Sequence, residues 1–177
     1  MTRSSPGWVV AVDPGAKATG VVVRSSDELA YGTTAVRDRD ETVEQYAAGV
    51  VNLVAGITER FVETFDGRPL VAIEAVLAPN VWNNGQRVVL HPQSVMDTCT
   101  VAGHIAGWAT AQRLKVEWVR PGHNGQGFMG AYPAELRPTR GIGAGRDRLR
   151  HVRSAWDVAG TAMGSRPGAP PPIEDPI

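Results

Sequence analysis

The chain of 177 residues has a single cysteine, Cys99. No intramolecular disulfide can form, and one thiol fits a reducing, cytoplasmic setting. Cys99 is expected to be a small buried apolar residue. No run of eighteen apolar residues occurs, and no basic-then-apolar leader precedes the first apolar segment, so neither a membrane span nor a secretory signal is expected. No N-x-[ST] acceptor appears. His91, His104 and His123 lack zinc spacing, and one cysteine cannot complete a site with them. Gly122-x-x-Gly125-x-Gly127 is not followed by Gly-Lys-[Ser/Thr], which removes a Walker loop and leaves a flexible loop, able to lie over a substrate.

Net charge is also lacking, at zero, which alone argues against a nucleic-acid partner. Its distribution argues differently. Residues 113–153 hold nine Lys/Arg and three acids, a local +6 that leaves −6 on the remainder. Such a dipolar layout can hold a polyanion on one face of a neutral molecule.

Apolar pattern divides the chain into elements. Trp8 to Asp13 reads as a continuous apolar strand, Gly20 to Arg24 as a second and Leu29 to Val36 as a third, at antiparallel hairpin spacing. From Thr42 the period changes. Thr42-Val43-Glu44-Gln45 has capping-box spacing. Val43, Ala47, Val50, Val54, Ile57, Phe61 and Phe65 then recur three and four apart, an amphipathic helix ended by Asp66-Gly67. Leu70 to Glu74 is a fourth strand, residues 78–92 a loop, and Pro92 opens a helix to about Gln112. Val116 to Val119 is a fifth strand. Pro121 to Gly145 is an irregular excursion, and Arg146 to Met163 a last helix. Residues 164–177 hold five of the thirteen prolines and are expected to be a disordered tail outside a single domain of residues 1–163. The order βββαβαβα predicts an α/β fold: a mixed five-stranded sheet flanked by helices.

Two strands end in acids, Asp13 and Glu74. If the first and fourth strands are parallel neighbours, both carboxylates emerge at one end, where they repel unless a cation lies between them. Mg²⁺ suits such a site, since it takes oxygen ligands and needs few carboxylates. A third acid is expected from the last helix, which offers Asp147 and Asp157. These are ten residues apart, roughly 15 Å along a helix, so one site cannot use both. Asp157 is preferred, with Ser154 and His151 fanning across the same side. Asp147, in Arg146-Asp147-Arg148, reads as a maker of exposed ion pairs worth little.

Val10-Ala11-Val12-Asp13-Pro14-Gly15 with Gly20, Val71-Ala72-Ile73-Glu74 and the terminal Asp157-Val158-Ala159 helix resemble the RuvC family of Holliday junction resolvases, within the RNase H-like and retroviral integrase superfamily. Their order agrees from about residue 8 to 163, and the second half is closer to the phage type. The resemblance implies helices on both sheet faces, Mg²⁺ (with Mn²⁺ able to substitute), a homodimer, and symmetric nicking of four-way DNA junctions in recombination and repair. It implies Asp13, Glu74 and Asp157 as metal ligands, with His151 or Ser154 orienting water or completing a ligand shell. The family's last helix carries Asp-x-x-Asp or His-x-x-Asp. Here Ser154 takes the first place and Asp157 the second, or, in a register slipped by three residues, His151 takes the first and Ser154 the second. Serine is a poor replacement for a carboxylate ligand, so a junction-binding protein with lost or weak catalysis is the alternative, as is a nuclease for another branched or RNA-containing substrate.

Around that site, Trp82, Asn83 and Arg87 are candidates for stacking on or bonding to junction bases. Arg146, Arg148, Arg150 and Arg153 are candidates for phosphate contacts. Val95, Val101 and Ile105 on the helix from Pro92 are a candidate dimer surface. Asp13-Pro14-Gly15 could also suit a phosphate loop of actin type, but that architecture needs two such domains, more than this length holds.

Overall fold

A computed structural model describes residues 7–26, 28–65, 67–76, 82–83, 86–87, 91–122, 125–138, 147 and 149–164. Three strands open the chain: β1 (Val9–Asp13), β2 (Ala18–Ser25) and β3 (Glu28–Val36). They are followed by α1 (Val43–Val62), β4 (Leu70–Glu74), a short pair β5 (Trp82–Asn83) and β6 (Gln86–Arg87), and α2 (Pro92–Ala111). The last elements are β7 (Lys115–Val119), two single 3₁₀ turns (Met129–Ala131 and Ala134–Leu136) and α3 (Arg150–Ala162). The main sheet has the order β3-β2-β1-β4-β7. β1 pairs antiparallel with β2, and β4 runs parallel to both β1 and β7.

The mixed sheet with helices on both faces is therefore as expected, and its cause is visible in β1. Val9 and Ala11 face one side, Val10 and Val12 the other, and all four are buried. A strand covered on both faces has no polar side, hence the unbroken apolar run. Val10, Val12, Val21, Val23, Val71 and Ile73 pack under α1 and α2. Val9, Ala11, Leu70, Ala72 and Val119 meet Val158 and Ala159 of α3, while Val22 meets Val152, Ala155 and Trp156. α1 begins at the predicted capping box: Thr42 accepts from Gln45 N–H, and the Gln45 side chain accepts from Thr42 N–H.

Several expectations change. The loop after β4 contains the two-residue pair β5–β6. The last helix starts at Arg150 rather than Arg146. Cys99 is exposed, because it lies on the outer side of α2. Val101 and Ile105 are buried in the core under α2 and are not available as a dimer surface; the exposed apolar residue of that helix is Met96. Gly125 is not part of an open loop over a substrate. It is buried at φ +66°, and a Cβ there would overlap the Arg150 carbonyl of α3. Apart from Gly164, the expected tail lies outside the described residues.

Candidate active site

The parallel pairing of β1 with β4 aligns Val12 with Ile73, which brings Asp13 and Glu74 side by side at the strands' C-terminal ends. Glu74 is buried, at 7 % exposure. Burial, followed by the adjacent Asp13 carboxyl within hydrogen-bonding reach, pushes its pKa up from 4.5 to about 8. Within that shift a hydrogen bond from Ser154 acts downward, and the charge of Asp157 makes the smallest upward contribution. Two acids on neighbouring central strands thus share one low-dielectric place, the situation in which one carboxyl holds a proton or a cation takes its place.

α3 lies across the open side of this pair. His151 Nδ1 donates to Asp13 Oδ2 at 2.8 Å, and one turn on Ser154 Oγ donates to Glu74 Oε2 at 3.0 Å. Gly20 permits this approach: a Cβ at that position of β2 would overlap the His151 carbonyl. Asp157 lies a further turn along, buried, where its Oδ2 accepts from Tyr132 Oη at 2.8 Å. The side chains that face Asp13 and Glu74 are therefore His151 and Ser154, which is the slipped register and not the preferred one. Asp157 sits beside the pair, within reach of Glu74 electrostatically, with one oxygen committed to Tyr132.

The turn after Asp13 is tethered from three elements. Arg37, following β3, accepts no freedom here: its N–H donates to Lys17 O at 3.0 Å and its Nη1 to Ala16 O at 3.4 Å and Asp97 Oδ2 at 2.8 Å. Asp97 on α2 also accepts from Gln93, and these two donors hold its carboxyl below the usual range. Tyr46 of α1 donates to Thr19 Oγ1 at 2.9 Å. No motif in the sequence pointed to Arg37, Asp97, Tyr46 or Tyr132, because each acts through a partner distant in the chain.

The arginines divide. Arg150 is exposed at the start of α3, beside His151. Arg153 is 2 % exposed and cannot serve as a phosphate contact. Its Nε donates to Gly125 O at 2.8 Å, its Nη1 to Leu136 O at 3.0 Å, and it pairs closely with Asp147. Asp147 is accordingly a partner in a largely buried pair and not an exposed one; the Arg153 guanidinium holds its carboxyl below the usual range. Arg146, Arg148 and the side chains of Trp82, Asn83 and Arg87 lie outside the described residues.

Among the described residues no three Asp, Glu, His or Cys side chains converge into a complete metal-ligand set. Two adjacent carboxylates nevertheless fit Mg²⁺, which is commonly held by one or two carboxylates with water and substrate phosphate filling the rest. The raised proton affinity of Glu74 is what such a pair shows when nothing else offsets its charge.

Solved structures share this arrangement of elements. RuvC of Thermus thermophilus in complex with a Holliday junction substrate matches with a TM-score of 0.59 over 92 % of this chain and 99 % of that one, at 17 % identity. The fold is that of RuvC. A second Thermus thermophilus RuvC structure matches with a TM-score of 0.56, at 16 % identity and the same coverage. No family model and no curated protein matches the sequence. At this identity the RuvC likeness concerns the backbone, so the chemistry rests on the side chains described above. No helix among the described residues is long and apolar enough to cross a membrane.

Proposed function

We propose that the protein is a divalent-metal-dependent endonuclease that cuts branched DNA, with the four-way junction as its substrate. The observation that carries this reading is the buried Asp13–Glu74 pair at the ends of parallel central strands, faced by His151 and Ser154. The RuvC fold, one example of which was solved on a Holliday junction substrate, supports the choice of DNA. Asp13 and Glu74 would hold Mg²⁺, with Mn²⁺ able to replace it. Bound there, the ion supplies charge stabilisation to the phosphate and lowers the pKa of a water.

The chain's own groups do the rest. Asp13 accepts from His151 Nδ1–H, which fixes the ring and leaves Nε2 as the basic nitrogen, able to take a proton from an attacking water. Ser154 holds Glu74 in one rotamer through Oε2. Asp157, held by Tyr132, adds negative charge beside the pair and favours a cation there. Arg150, with Arg146 and Arg148 nearby in sequence, would contact the DNA backbone, and Trp82, Asn83 and Arg87 the bases near the branch point. Symmetric nicking of a four-way junction requires two active sites, hence a homodimer.

The test is cleavage of a synthetic four-way junction, plain duplex and RNA–DNA hybrid, each with Mg²⁺ or EDTA. The junction should be cut only with metal, and Asp13→Asn should lower the rate about 100-fold or more, the scale of removing one electrostatic contact to the transition state. Cutting of hybrid but not junction would reject the substrate. A second reading, a junction-binding protein with weak or no cleavage, is favoured by one observation: a hydroxyl faces Glu74 from position 154, where a carboxylate would strengthen a metal site. Metal-independent binding without cleavage would establish it.

A further inference from the structure

Two divalent ions about 3.5–4 Å apart, which together stabilise the attacking and the leaving oxygen of an in-line displacement, would need a shared carboxylate and further anionic ligands on each. Among the described residues, the donors around Asp13 and Glu74 fall short of that. From α3 they meet an imidazole at His151 and a hydroxyl at Ser154, and the hydroxyl donates its hydrogen to Glu74. Asp157 has Oδ2 bonded to Tyr132, and no cluster of three acidic or imidazole groups forms among the described residues. Asp97, the buried acid at the start of α2, is held by Arg37 and Gln93. Of the segments outside the described residues, 77–81, 84–85, 88–90, 123–124, 139–146 and 148 contain no Asp or Glu; the acids that lie outside are Asp27, Asp66, Glu174 and Asp175.

We propose that the Asp13–Glu74 site takes one divalent cation, and that the hydroxyl at position 154, standing where an acid would complete a second ligand set, fixes that number. The proposal rests on the metal reading given above. Two carboxylates, water and a phosphate oxygen suffice for one octahedral ion. A second ion would need an anion in direct contact with Glu74 on the α3 side; Ser154 fills that place with a neutral donor, and Asp157, a turn further along, is held by Tyr132. His151 and the basic residues near α3 are then left to offset the charge that a second ion would otherwise offset.

Counting bound Mn²⁺ by electron paramagnetic resonance on the full, metal-stripped chain tests this without reference to activity. One Mn²⁺ per chain is expected for the unmodified protein, none for Asp13→Asn, one for Ser154→Ala and two for Ser154→Asp. Two ions in the unmodified protein, both lost in Asp13→Asn, would overturn the single-ion proposal while leaving the metal site standing. No bound ion in the unmodified protein would overturn the site and the proposal together. Loss of the ion in Ser154→Ala would make the hydroxyl a ligand, and a count of one in folded Ser154→Asp would show that position 154 does not set the number; either result rejects the proposal. Should Ser154→Asp fail to fold, the unmodified protein and Ser154→Ala still decide it.

Discussion

A glutamate buried beside a second carboxylate makes the folded state bind protons that the unfolded chain has released. With Glu74 pushed up from 4.5 to about 8, the folded protein holds that proton throughout the interval and the unfolded chain does not. Stability in the absence of metal therefore falls as pH rises from about 4.5 to about 8, and levels off above. Glu74→Gln keeps an acceptor for Ser154 and removes the charge. It should stabilise the metal-free protein at pH 8 by on the order of 1–3 kcal/mol, and leave it nearly unchanged at pH 4. Thermal unfolding at the two pH values checks the sign, with roughly 2–4 °C expected per kcal/mol for a chain of this size. Equal shifts at both pH values would remove the buried-proton account. Much of this was legible in the sequence: acids that end wholly apolar strands are anomalous wherever they fall, and Asp13 and Glu74 stood out for that reason. Arg153 was not legible. Flanked by Arg148 and Arg150 it reads as part of an exposed basic cluster, and its burial depends on Gly125, Leu136 and Asp147 reaching it from outside the helix.

α3 is the element in which sequence and structure part most. Its pattern permits two registers three residues apart, because His151, Ser154 and Asp157 all lie toward one side of a helix. Only the approach of β2 through Gly20 decides that His151 and Ser154 meet the strand-end acids. Position 20 should therefore tolerate no side chain. Gly20→Ala is expected to cost about 1–3 kcal/mol by overpacking, and to displace His151 from Asp13, seen as changed chemical shifts of the His151 ring resonances by NMR. On the other side α3 is bolted to residues 125–138 by Arg153 and Tyr132. Arg153→Met strands Asp147 as a partly buried charge and should destabilise by about 3–5 kcal/mol in urea unfolding, the scale of breaking one partner of a buried pair. An effect below 1 kcal/mol would return Arg153 to the surface.

For the whole molecule, zero net charge conceals a separation of +6 against −6 along the chain. If the basic portion holds DNA, affinity should fall steeply with salt, because released counterions drive the binding. Arg150→Ala should lower the slope of log affinity against log salt by about 1, whereas Arg153→Met should leave that slope unchanged once the variant is folded. Fluorescence anisotropy on a labelled junction from 50 to 200 mM salt, about the range over which such contacts weaken, measures both. The sheet order was open to inference because β1 and β4 have no polar face and so must be central. The docking of residues 125–138 was not, since a stretch rich in glycine and proline carries no periodicity from which to assign a face.

The central placement of β1 and β4 has a kinetic consequence. Their amides are bonded to neighbouring strands on both sides, between two helical layers. Hydrogens on such strands exchange with solvent only when the whole domain opens, not through local fraying. The backbone of Val12 and Ile73, which aims the two acids, should be among the slowest to take up deuterium, while the amides of edge strand β7 that face away from β4 exchange early. The carboxylate pair would then lose its alignment only when the fold itself is lost.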